Sequence, residues 1–407
     1  MMGTSILSMP WGVERAGLVV GSFLILLMGG LCLYTTYCNL RTHQQFGSVS
    51  GEISELARSL LGPYAEVISK IFSLVVLLGA NIVYWILMTN FLYHSVTYVY
   101  GSLINDEVCW SFTVLCPKLG INDENELMRE NLVFRSVWNL KTVPIFLSFI
   151  IVPLLNFKSP TFFTKFNSFG TLSIVYLIVF VLIKVSVWGI RVDSVDPSSP
   201  AYSPLASVSF PATSGMLALS YFVHNIIITI MRNNSNQKNN VAYGLVTLTY
   251  LLIGVMFYIA FPLLKSCIQD NLLDNFSGSD MLTVIARLFL LFQLVTVFPL
   301  IAYMLRVQTL IALTGRAYPA TSYVLGHNLV LVIVCVLFAI FLPRIGTIIR
   351  FTGALSGLVH VFALPCVLRL AAQYKNGKVP PLSWIIHIVI PLFGAANLIA
   401  QFFVADD

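Results

Sequence analysis

The first ten residues, Met1-Met2-Gly3-Thr4-Ser5-Ile6-Leu7-Ser8-Met9-Pro10, are apolar enough for a lipid bilayer but form a helix poorly. Gly costs about 1 kcal/mol in a helix interior, and Thr and Ser hydroxyls compete for backbone hydrogen bonds. A broken membrane helix leaves N–H and C=O groups open, which is tolerated where they line a cavity and meet a substrate or ion. The stretch therefore predicts a small-molecule transporter with its site at Gly3-Thr4-Ser5.

The composition is that of a polytopic membrane protein. Hydrophobic residues make up 57% of the chain and charged residues 10%, and the mean hydropathy is +0.86. A soluble domain carries about 25% charged residues. Basic residues on cytoplasmic loops account for the net charge of +6,. The sequence contains no phosphate loop, zinc-ligand spacing or Ser-His-Asp order, so we expect neither an enzyme nor a cofactor.

Apolar segments of about 20 residues suffice to cross a bilayer as helices. We assign eleven spans, at 1–16, 17–37, 70–99, 143–155, 169–188, 210–231, 241–264, 281–313, 324–342, 345–372 and 382–404. The first begins abruptly, and we expect its first half to precede Met1. The third and eighth spans are long enough to be tilted or to project beyond the membrane. A short amphipathic helix is predicted at 50–62, at the membrane interface.

The distribution of basic residues favours a cytosolic amino-terminal side, with the carboxyl terminus outside or in a lumen. The longest loop, 101–140, then lies on the far side. Its cysteines, Cys109 and Cys116, form a disulfide if that side is oxidising, and a reduced pair fits the sequence equally well. The sequon Asn275-Phe276-Ser277 also falls on the far side, so Asn275 is a candidate for glycosylation.

The sixth span resembles the first in texture, with Pro211-Ala212-Thr213-Ser214-Gly215 followed by Ser220-Tyr221-Phe222-Val223-His224-Asn225. Transporters with inverted repeats interrupt helices at corresponding positions of their two halves, and spans one and six fit a five-plus-five repeat. We assign Ser220 and His224 to the substrate site. Two interpretations of His224 remain open, a group whose titration gates transport and a neutral histidine hydrogen-bonded inside the bundle.

Three residues of the third span, Asn81, Trp85 and Thr89, form a polar-aromatic stripe that must face the protein interior. Contacts between helices and pore lining are equally compatible with it, and we include Asn81 among the substrate-binding candidates. His360, one turn after Ser356 in the tenth span, is a weaker candidate of the same kind.

The eighth span carries Thr296 shortly before Pro299. A threonine hydroxyl there is suited to join carbonyls freed by the proline around sodium, a hard cation that takes oxygen ligands. Alternatively, Thr296 hydrogen-bonds to its own helix at a proline kink.

These segments resemble the amino acid/auxin permease family, within the amino acid–polyamine–organocation superfamily. Residues 3–17, GTSILSMPWGVERAG, are similar to its first-helix motif, and 286–306 are similar to its eighth helix, with Arg, Thr and Pro in step. Residues 219–225, LSYFVHN, occupy the place of a sixth-helix motif with a common Phe-x-Cys-His core, in which Val223 replaces the cysteine.

The resemblance covers essentially the whole chain, and it implies one all-α, LeuT-like transporter domain over 1–407. The first repeat is expected at 1–190, the second at 210–372 and an extra helix at 382–404. Carried over by position, the substrate's backbone groups lie on Met1, Met2, Gly3, Thr4 and Ser5, and sodium, the possible coupling ion, on Thr296. The family's first-helix Asn, a sodium ligand, falls two positions before Met1, outside the chain.

Within the family, the start MMGTSILSMPWG is most similar to a lysosomal, arginine-responsive member. This implies a lysosomal or late endosomal membrane protein that exports amino acids from the lumen. It also implies arginine sensing for a growth-controlling kinase complex. Its expected partners are Rag GTPases and Ragulator, engaged through a cytosolic tail outside the chain. The alternatives are an arginine sensor with little net transport and a proton-coupled plasma-membrane transporter of neutral amino acids.

Buried acids are nearly absent from the predicted helices. The guanidinium group of arginine would therefore be recognised by carbonyls, Tyr, Asn or Gln, with modest affinity and tolerance of neutral amino acids.

Overall fold

The computed structural model describes residues 4–47, 52–104, 114–121, 132–157, 161–166, 170–228, 231, 239–377 and 379–405. Across these residues the chain is helical, and β-pairing is limited to isolated bridges such as Val114–Phe276. The predicted all-α class is therefore confirmed.

The α-helices, numbered in chain order, are α1 (Met9–Ala16), α2 (Leu18–Phe46), α3 (Ile53–Leu61), α4 (Pro63–Ile104), α5 (Leu132–Val137), α6 (Val143–Leu155), α7 (Thr161–Phe166), α8 (Gly170–Trp188), α9 (Phe210–Ser220), α10 (Asn239–Ala260), α11 (Met281–Thr314), α12 (Thr321–Phe341), α13 (Ile345–Gly357), α14 (Leu364–Lys375) and α15 (Pro381–Gln401). A 3₁₀ helix, Thr4–Ser8, precedes α1. A π-helix, Leu358–Ala363, joins α13 to α14.

Among the described residues, 8 helices are long and apolar enough to cross a membrane, with α13 and α14 counted as one. The remaining predicted spans are the first, the fourth, which is the short helix α6, and the sixth. The two spans predicted to be long are α4, with 42 residues, and α11, with 34 residues. At about 1.5 Å per residue, both exceed a hydrocarbon core of about 30 Å.

Helix α2 is longer than predicted, and a short amphipathic helix follows it. Helix α2 continues to Phe46, well beyond the predicted end at residue 37, because the polar stretch after Tyr37 contains no Gly or Pro to stop it. The amphipathic helix is confirmed as α3, with Ile53 and Leu56 buried and Arg58 exposed.

The chain divides into two compact units. The first unit comprises Met1–Val76, Pro204–Val255 and Gly346–Asp407, and the second comprises Leu77–Ser203 and Met256–Ile345. Each predicted repeat contributes residues to both units, and the repeat relation itself stays a prediction.

In the first unit, small residues allow helices to touch along their backbones. A Cβ atom at Gly353 of α13 would collide with the Gly215 carbonyl of α9, and one at Gly357 would come within 2.9 Å of Ala218. Glycines at this spacing are typical of close helix crossings in membranes. As a result, α13 lies directly against the second half of α9.

In the second unit, polar bonds tie α8 and α11 to the segment between α10 and α11. Lys184 and Asp280 form an ion pair of 2.7 Å, and both side chains are buried. Asp280 also accepts a hydrogen bond from Thr283. The fully buried Arg287 donates to the Leu273 carbonyl over 2.9 Å. A buried pair of this kind is costly to break from one side, so the segment is firmly anchored.

The predicted pairing of Cys109 with Cys116 is wrong. Cys116 is bonded to Cys267, with their Cα atoms 5.1 Å apart, and Cys109 lies outside the described residues. The backbone around Cys116 pairs with the segment after α10, where the Leu115 N–H donates to the Asn275 carbonyl over 2.9 Å. Proximity in sequence suggested the pairing, whereas contact between the two loops determines it.

The structure disfavours glycosylation of the candidate Asn275. Its side chain is fully buried, and its Nδ2 donates to the Leu272 carbonyl over 2.9 Å. Its Oδ1 accepts from the Gln269 N–H over 3.0 Å. A glycan on this nitrogen would have to displace the fold of the segment around it.

Candidate functional site

The first span changes helix type where the sequence predicts a break. Thr4–Ser8 is a 3₁₀ helix, and α1 begins at Met9 with Pro10 in its first turn. A proline is tolerated there because the N–H that it lacks would have no partner within the helix. Met1, Met2 and Gly3 lie outside the described residues. Of the binding residues predicted in this first span, the structure describes the backbone of Thr4 and the half-buried Ser5.

The sixth span is interrupted within the predicted stretch. Helix α9 ends at Ser220, and residues 221–226 are non-helical. The earlier run, Pro211 to Gly215, lies inside α9 and does not interrupt it. The interruption therefore follows the second of the two motifs.

Tyrosine side chains satisfy the backbone at this interruption. The Tyr250 hydroxyl donates to the Ser220 carbonyl at the end of α9, over 3.1 Å. The Tyr221 hydroxyl is 3.2 Å from the Ile25 carbonyl and 3.0 Å from Thr247 Oγ1. Sequence reasoning missed these residues, although Tyr243 and Tyr250 stand seven positions apart on α10, a spacing that places them on one helix face.

The two interrupted spans are in contact. Thr213 Oγ1 of α9 donates to the Gly12 carbonyl of α1 over 2.6 Å. A Cβ atom at Gly12 would collide with the Met216 side chain. The 3₁₀ helix also packs against α9. Within the first unit, the helical parts of the two interrupted spans, α1 with its preceding 3₁₀ helix and α9, are thus in contact.

His224 is fully buried beside the interruption. Its Nε2 is 2.9 Å from Thr35 Oγ1 and 3.2 Å from Thr36 Oγ1, and Thr36 is in turn 2.8 Å from the Tyr243 hydroxyl. This is the hydrogen-bonded histidine of one interpretation. Its Nδ1, however, has no hydrogen-bond partner among the residues that the structure describes, and is therefore available for a further hydrogen bond.

Ser8 has the same property. Its side chain is buried, and within the described part of the chain its Oγ has no hydrogen-bond partner. A buried polar group left unpaired costs about 1–3 kcal/mol. Ser8 Oγ and His224 Nδ1 are therefore suited to meet a ligand or water. Ser220 is less available, because its hydroxyl donates to the Met216 carbonyl of its own helix over 2.8 Å.

A buried polar face of α2 extends from His224 towards the end of that helix. Thr35, Thr36, Asn39 and Thr42 are all buried, at spacings that place them on one side of the helix. Asn39 and Thr42 have no side-chain hydrogen-bond partner. Sequence reasoning missed this face, for which the spacing within an apolar helix was the available signal.

The stripe on α4 lies in the second unit. Asn81, Trp85 and Thr89 are buried, and Asn81 Nδ2 donates to the Leu77 carbonyl of its own helix over 2.7 Å. Asn81 Oδ1, Trp85 Nε1 and Thr89 Oγ1 have no hydrogen-bond partner. The stripe therefore does not join helices through these polar groups, and its role in binding substrate stays a prediction.

Thr296 is also in the second unit, on α11. Its hydroxyl donates to the Gln293 carbonyl over 2.8 Å, as the second interpretation of this residue expects. Its oxygen lone pairs remain suited to a cation. The described residues hold no cluster of three His, Cys, Asp or Glu side chains for a metal ion, so sodium binding rests on the predicted role of Thr296 alone.

An apolar pocket of about 480 Å³ between α8 and α11 does not suit an amino acid. Its walls include Phe166, Leu172, Ile285, Phe289 and Phe292. The zwitterionic groups of an amino acid lose too much hydration in such a pocket without hydrogen-bond partners. The interrupted spans therefore remain the candidate site.

Comparison with known proteins identifies the family of the chain. Residues 1–404 match the family described as transmembrane amino acid transporter protein. The chain belongs to this family. Members are membrane transporters of the amino acid permease type rather than enzymes, and the predicted family is confirmed.

The chain is also similar to named transporters. It is 42% identical over 430 residues to neutral amino acid transporter 9 of Rattus norvegicus, covering 99% of this chain and 77% of that protein. It is 40% identical over 438 residues to the sodium-coupled neutral amino acid transporter 9 homolog of Caenorhabditis elegans, covering 99% of this chain and 71% of that protein. Amino acid transport is therefore the function of this transmembrane amino acid transporter.

Among solved structures, MhsT in complex with L-phenylalanine has a similar fold. The TM-score is 0.58 at 12% sequence identity, and the match covers 100% of this chain and 96% of that one. MhsT is a transporter of the LeuT fold, so the predicted fold class of this family member is confirmed.

Proposed function

We propose that this protein exports amino acids, arginine among them, from the lysosomal lumen, and binds them at the two interrupted spans. The observation that carries the proposal is the contact between those spans in the first unit, where Thr213 bonds to Gly12. On these two spans, Ser8 Oγ and His224 Nδ1 are each buried and have no hydrogen-bond partner among the described residues. Residues 1–5 and 221–226 would supply backbone groups to the substrate.

The chemistry of the interruptions suits a zwitterion. The amino-terminal end of the helical segment that begins at Thr4 would carry a partial positive charge, which favours a carboxylate,. Carbonyls left open by non-helical backbone favour an ammonium group. Alternating access would follow from rearrangement about this fixed site.

Recognition of arginine would depend on neutral groups. In the part of the chain that the structure describes, the buried carboxyl oxygens belong to Asp280, which is paired with Lys184, and to Asp274, and both acids lie in the second unit. Among the described residues of the first unit, no buried carboxylate is thus available to a guanidinium group. Carbonyls and aromatic rings would give modest affinity and accept neutral amino acids too. The names of the similar transporters, which specify neutral amino acids, favour the same breadth.

Sodium linkage is part of the proposal, with Thr296 as the candidate ligand. Replacement of external sodium by choline should lower the transport rate if sodium is coupled. A rate that is unaffected by sodium but loses its pH dependence in His224→Gln would favour the proton-coupled alternative at the plasma membrane, because His224 is an ionisable group within the interruption.

The signalling role is a further part of the proposal. Arginine binding would bias the conformation that Rag GTPases and Ragulator recognise. The rival is an arginine sensor with little net transport. Arginine binding without arginine-dependent flux in proteoliposomes would favour the sensor.

The test of transport is uptake of labelled arginine and leucine into proteoliposomes. We expect Ser8→Ala and His224→Gln to raise KM for both amino acids. The matched control is Ser22→Ala, since Ser22 lies on α2 in the same unit and its hydroxyl bonds to its own helix. An equal loss in the control, or unchanged kinetics in both site variants, would contradict the proposed site.

A further inference from the structure

The tenth span contains a widened turn whose cause lies in the sequence. Between α13 and α14, Leu358–Ala363 forms a π-helix, and the Leu364 N–H bonds to the Val359 carbonyl five residues earlier. Pro365 follows in the first turn of α14. Proline lacks an N–H, and its ring excludes the carbonyl four residues before it. A π-turn relieves this conflict, and such turns are frequent at functional sites.

The π-turn carries a buried histidine. His360 is 1% exposed, and its Nε2 is 3.0 Å from the Ser69 carbonyl of α4. Because a carbonyl can only accept, Nε2 carries the proton and donates. This bond fixes the tautomer and the orientation of the ring.

The ring of His360 meets the interruption of the sixth span. Phe222 lies two residues after the end of α9, and its ring is 5.7 Å from that of His360 at an angle of 89°. This edge-to-face geometry is the favourable one for aromatic pairs. Phe222 also lies 6.1 Å from the ring of His224. The order of contact is therefore Ser69, His360, Phe222 and His224.

The tenth span also packs closely against α9, the helix that leads into the interruption. Gly353 and Gly357 leave no room for side chains against Gly215 and Ala218 of α9. This close contact ends at Gly357, immediately before the π-turn. Helix α9 is thus packed against the tenth span up to its last turn, and Phe222, two residues beyond that helix, contacts the ring of His360.

We propose that His360 is a positioning residue, which sets the conformation of residues 221–226 through its ring contact with Phe222 and thereby the affinity for the transported amino acid. This inference rests on the proposed substrate site at the interrupted spans. His360 itself need not touch the substrate.

Three variants separate the ring from the hydrogen bond. In His360→Gln, the amide nitrogen can still donate to Ser69 while the ring is lost. In His360→Phe, the ring remains while the donor is lost. Phe222→Leu removes the other side of the ring contact. His327→Gln is the matched control, because His327 is a half-buried histidine of α12 in the second unit.

The kinetic experiment measures the concentration dependence of amino acid uptake into proteoliposomes. We expect His360→Gln and Phe222→Leu each to raise KM by roughly two- to tenfold, the range of one edge-to-face contact. The maximal rate per folded molecule should stay near that of the unaltered protein. The double variant should show no more than the larger single effect, since both changes remove one contact. His360→Phe should keep KM and lower the melting temperature.

A merely structural role predicts a different pattern. It would lower the maximal rate and the melting temperature in His360→Gln and leave KM unchanged, which would overturn the proposal. Fully additive effects of the two ring variants on KM would also overturn it.

A second measurement does not depend on transport. Hydrogen exchange of backbone amides in 219–228 should be faster in His360→Gln than in the unaltered protein, and unchanged in His327→Gln. Unchanged exchange in both variants would overturn the positioning role. Absence of amino acid uptake and binding by the unaltered protein would instead contradict the proposed function, so the two failures are distinguishable.

Discussion

Thr213 of the sixth span donates a hydrogen bond of 2.6 Å to the carbonyl of Gly12 in the first span. Both residues are buried, and a side chain at position 12 would collide with Met216. The bond and the close approach fix the two interrupted spans against each other. Any substrate site that they form depends on this crossing.

We expect Thr213→Val to destabilise the protein by about 1 kcal/mol, the usual net value of one buried hydrogen bond. Thr213→Ser should retain most of the stability because it keeps the hydroxyl. The measurement is the melting temperature of the purified protein in detergent. The control is Thr309→Val, since the Thr309 hydroxyl donates to the Leu305 carbonyl of its own helix over 2.8 Å. A larger loss in the control than in Thr213→Val would contradict the assignment.

The disulfide between Cys116 and Cys267 gives a second prediction. Cys116→Ser and Cys267→Ser should each lower stability by about 2–4 kcal/mol, and the double variant should lose no more than either one. Peptide mapping without reductant should recover the two cysteines in one linked fragment. Cys109→Ser is the control, with linkage of Cys116 and Cys267 preserved. A fragment that links Cys109 to Cys116 would contradict the structure.

Asp274 should make stability depend on pH. Burial raises the pKa of its carboxyl from 3.8 to about 6, opposed by Arg287, and Asn90 donates to it over 3.1 Å. A raised pKa means that the folded state binds the proton more tightly, so stability is greatest below about pH 4 and falls as the pH rises through 6. The change should amount to about 2–3 kcal/mol, since one pKa unit corresponds to about 1.4 kcal/mol.

Melting temperatures between pH 4 and pH 7.5 test this dependence. Asp274→Asn should flatten the curve between pH 4 and 6. Asp193→Asn should leave that part of the curve in place, because backbone hydrogen bonds from Val195 and Asp196 lower the pKa of the Asp193 carboxyl. Equal curves for the unaltered protein and Asp274→Asn would exclude the assigned role.

Asn275 provides a fourth prediction. Because its amide is buried and bonded on both sides, Asn275→Gln should lower the melting temperature without removing a glycan. The protein is produced in eukaryotic cells and treated with an amidase that cleaves N-linked glycans. The treatment should leave the mass of the peptide that contains Asn275 unchanged. A mass shift at Asn275 would show that the segment adopts another fold.

Much of the fold was predictable because the bilayer imposes it. Spans such as α8 and α12 are continuous apolar helices, and their ends follow from hydropathy alone. The end of α2 at Phe46 was not predictable in this way, since the helix continues through polar residues beyond the apolar stretch.

The candidate site was only partly predictable. Ser220 and His224 follow from the motif, and the interruption lies where the motif predicts it. The unpartnered hydroxyl of Ser8 and the hydrogen bond that Tyr250 donates to the Ser220 carbonyl depend on which groups meet after folding. Local sequence patterns do not encode such contacts. The partner of Cys116 was missed for the same reason, because the pairing joins loops 151 residues apart.

The most direct test of the proposed substrate site is an experimental structure of the protein with arginine or leucine bound. We expect density for the amino acid against the backbone of residues 3–5 and 221–226, with Ser8 and His224 at its edge. Density in the apolar pocket between α8 and α11 instead, or a continuous helix through 220–228 with no ligand beside it, would contradict a substrate site at the interrupted spans.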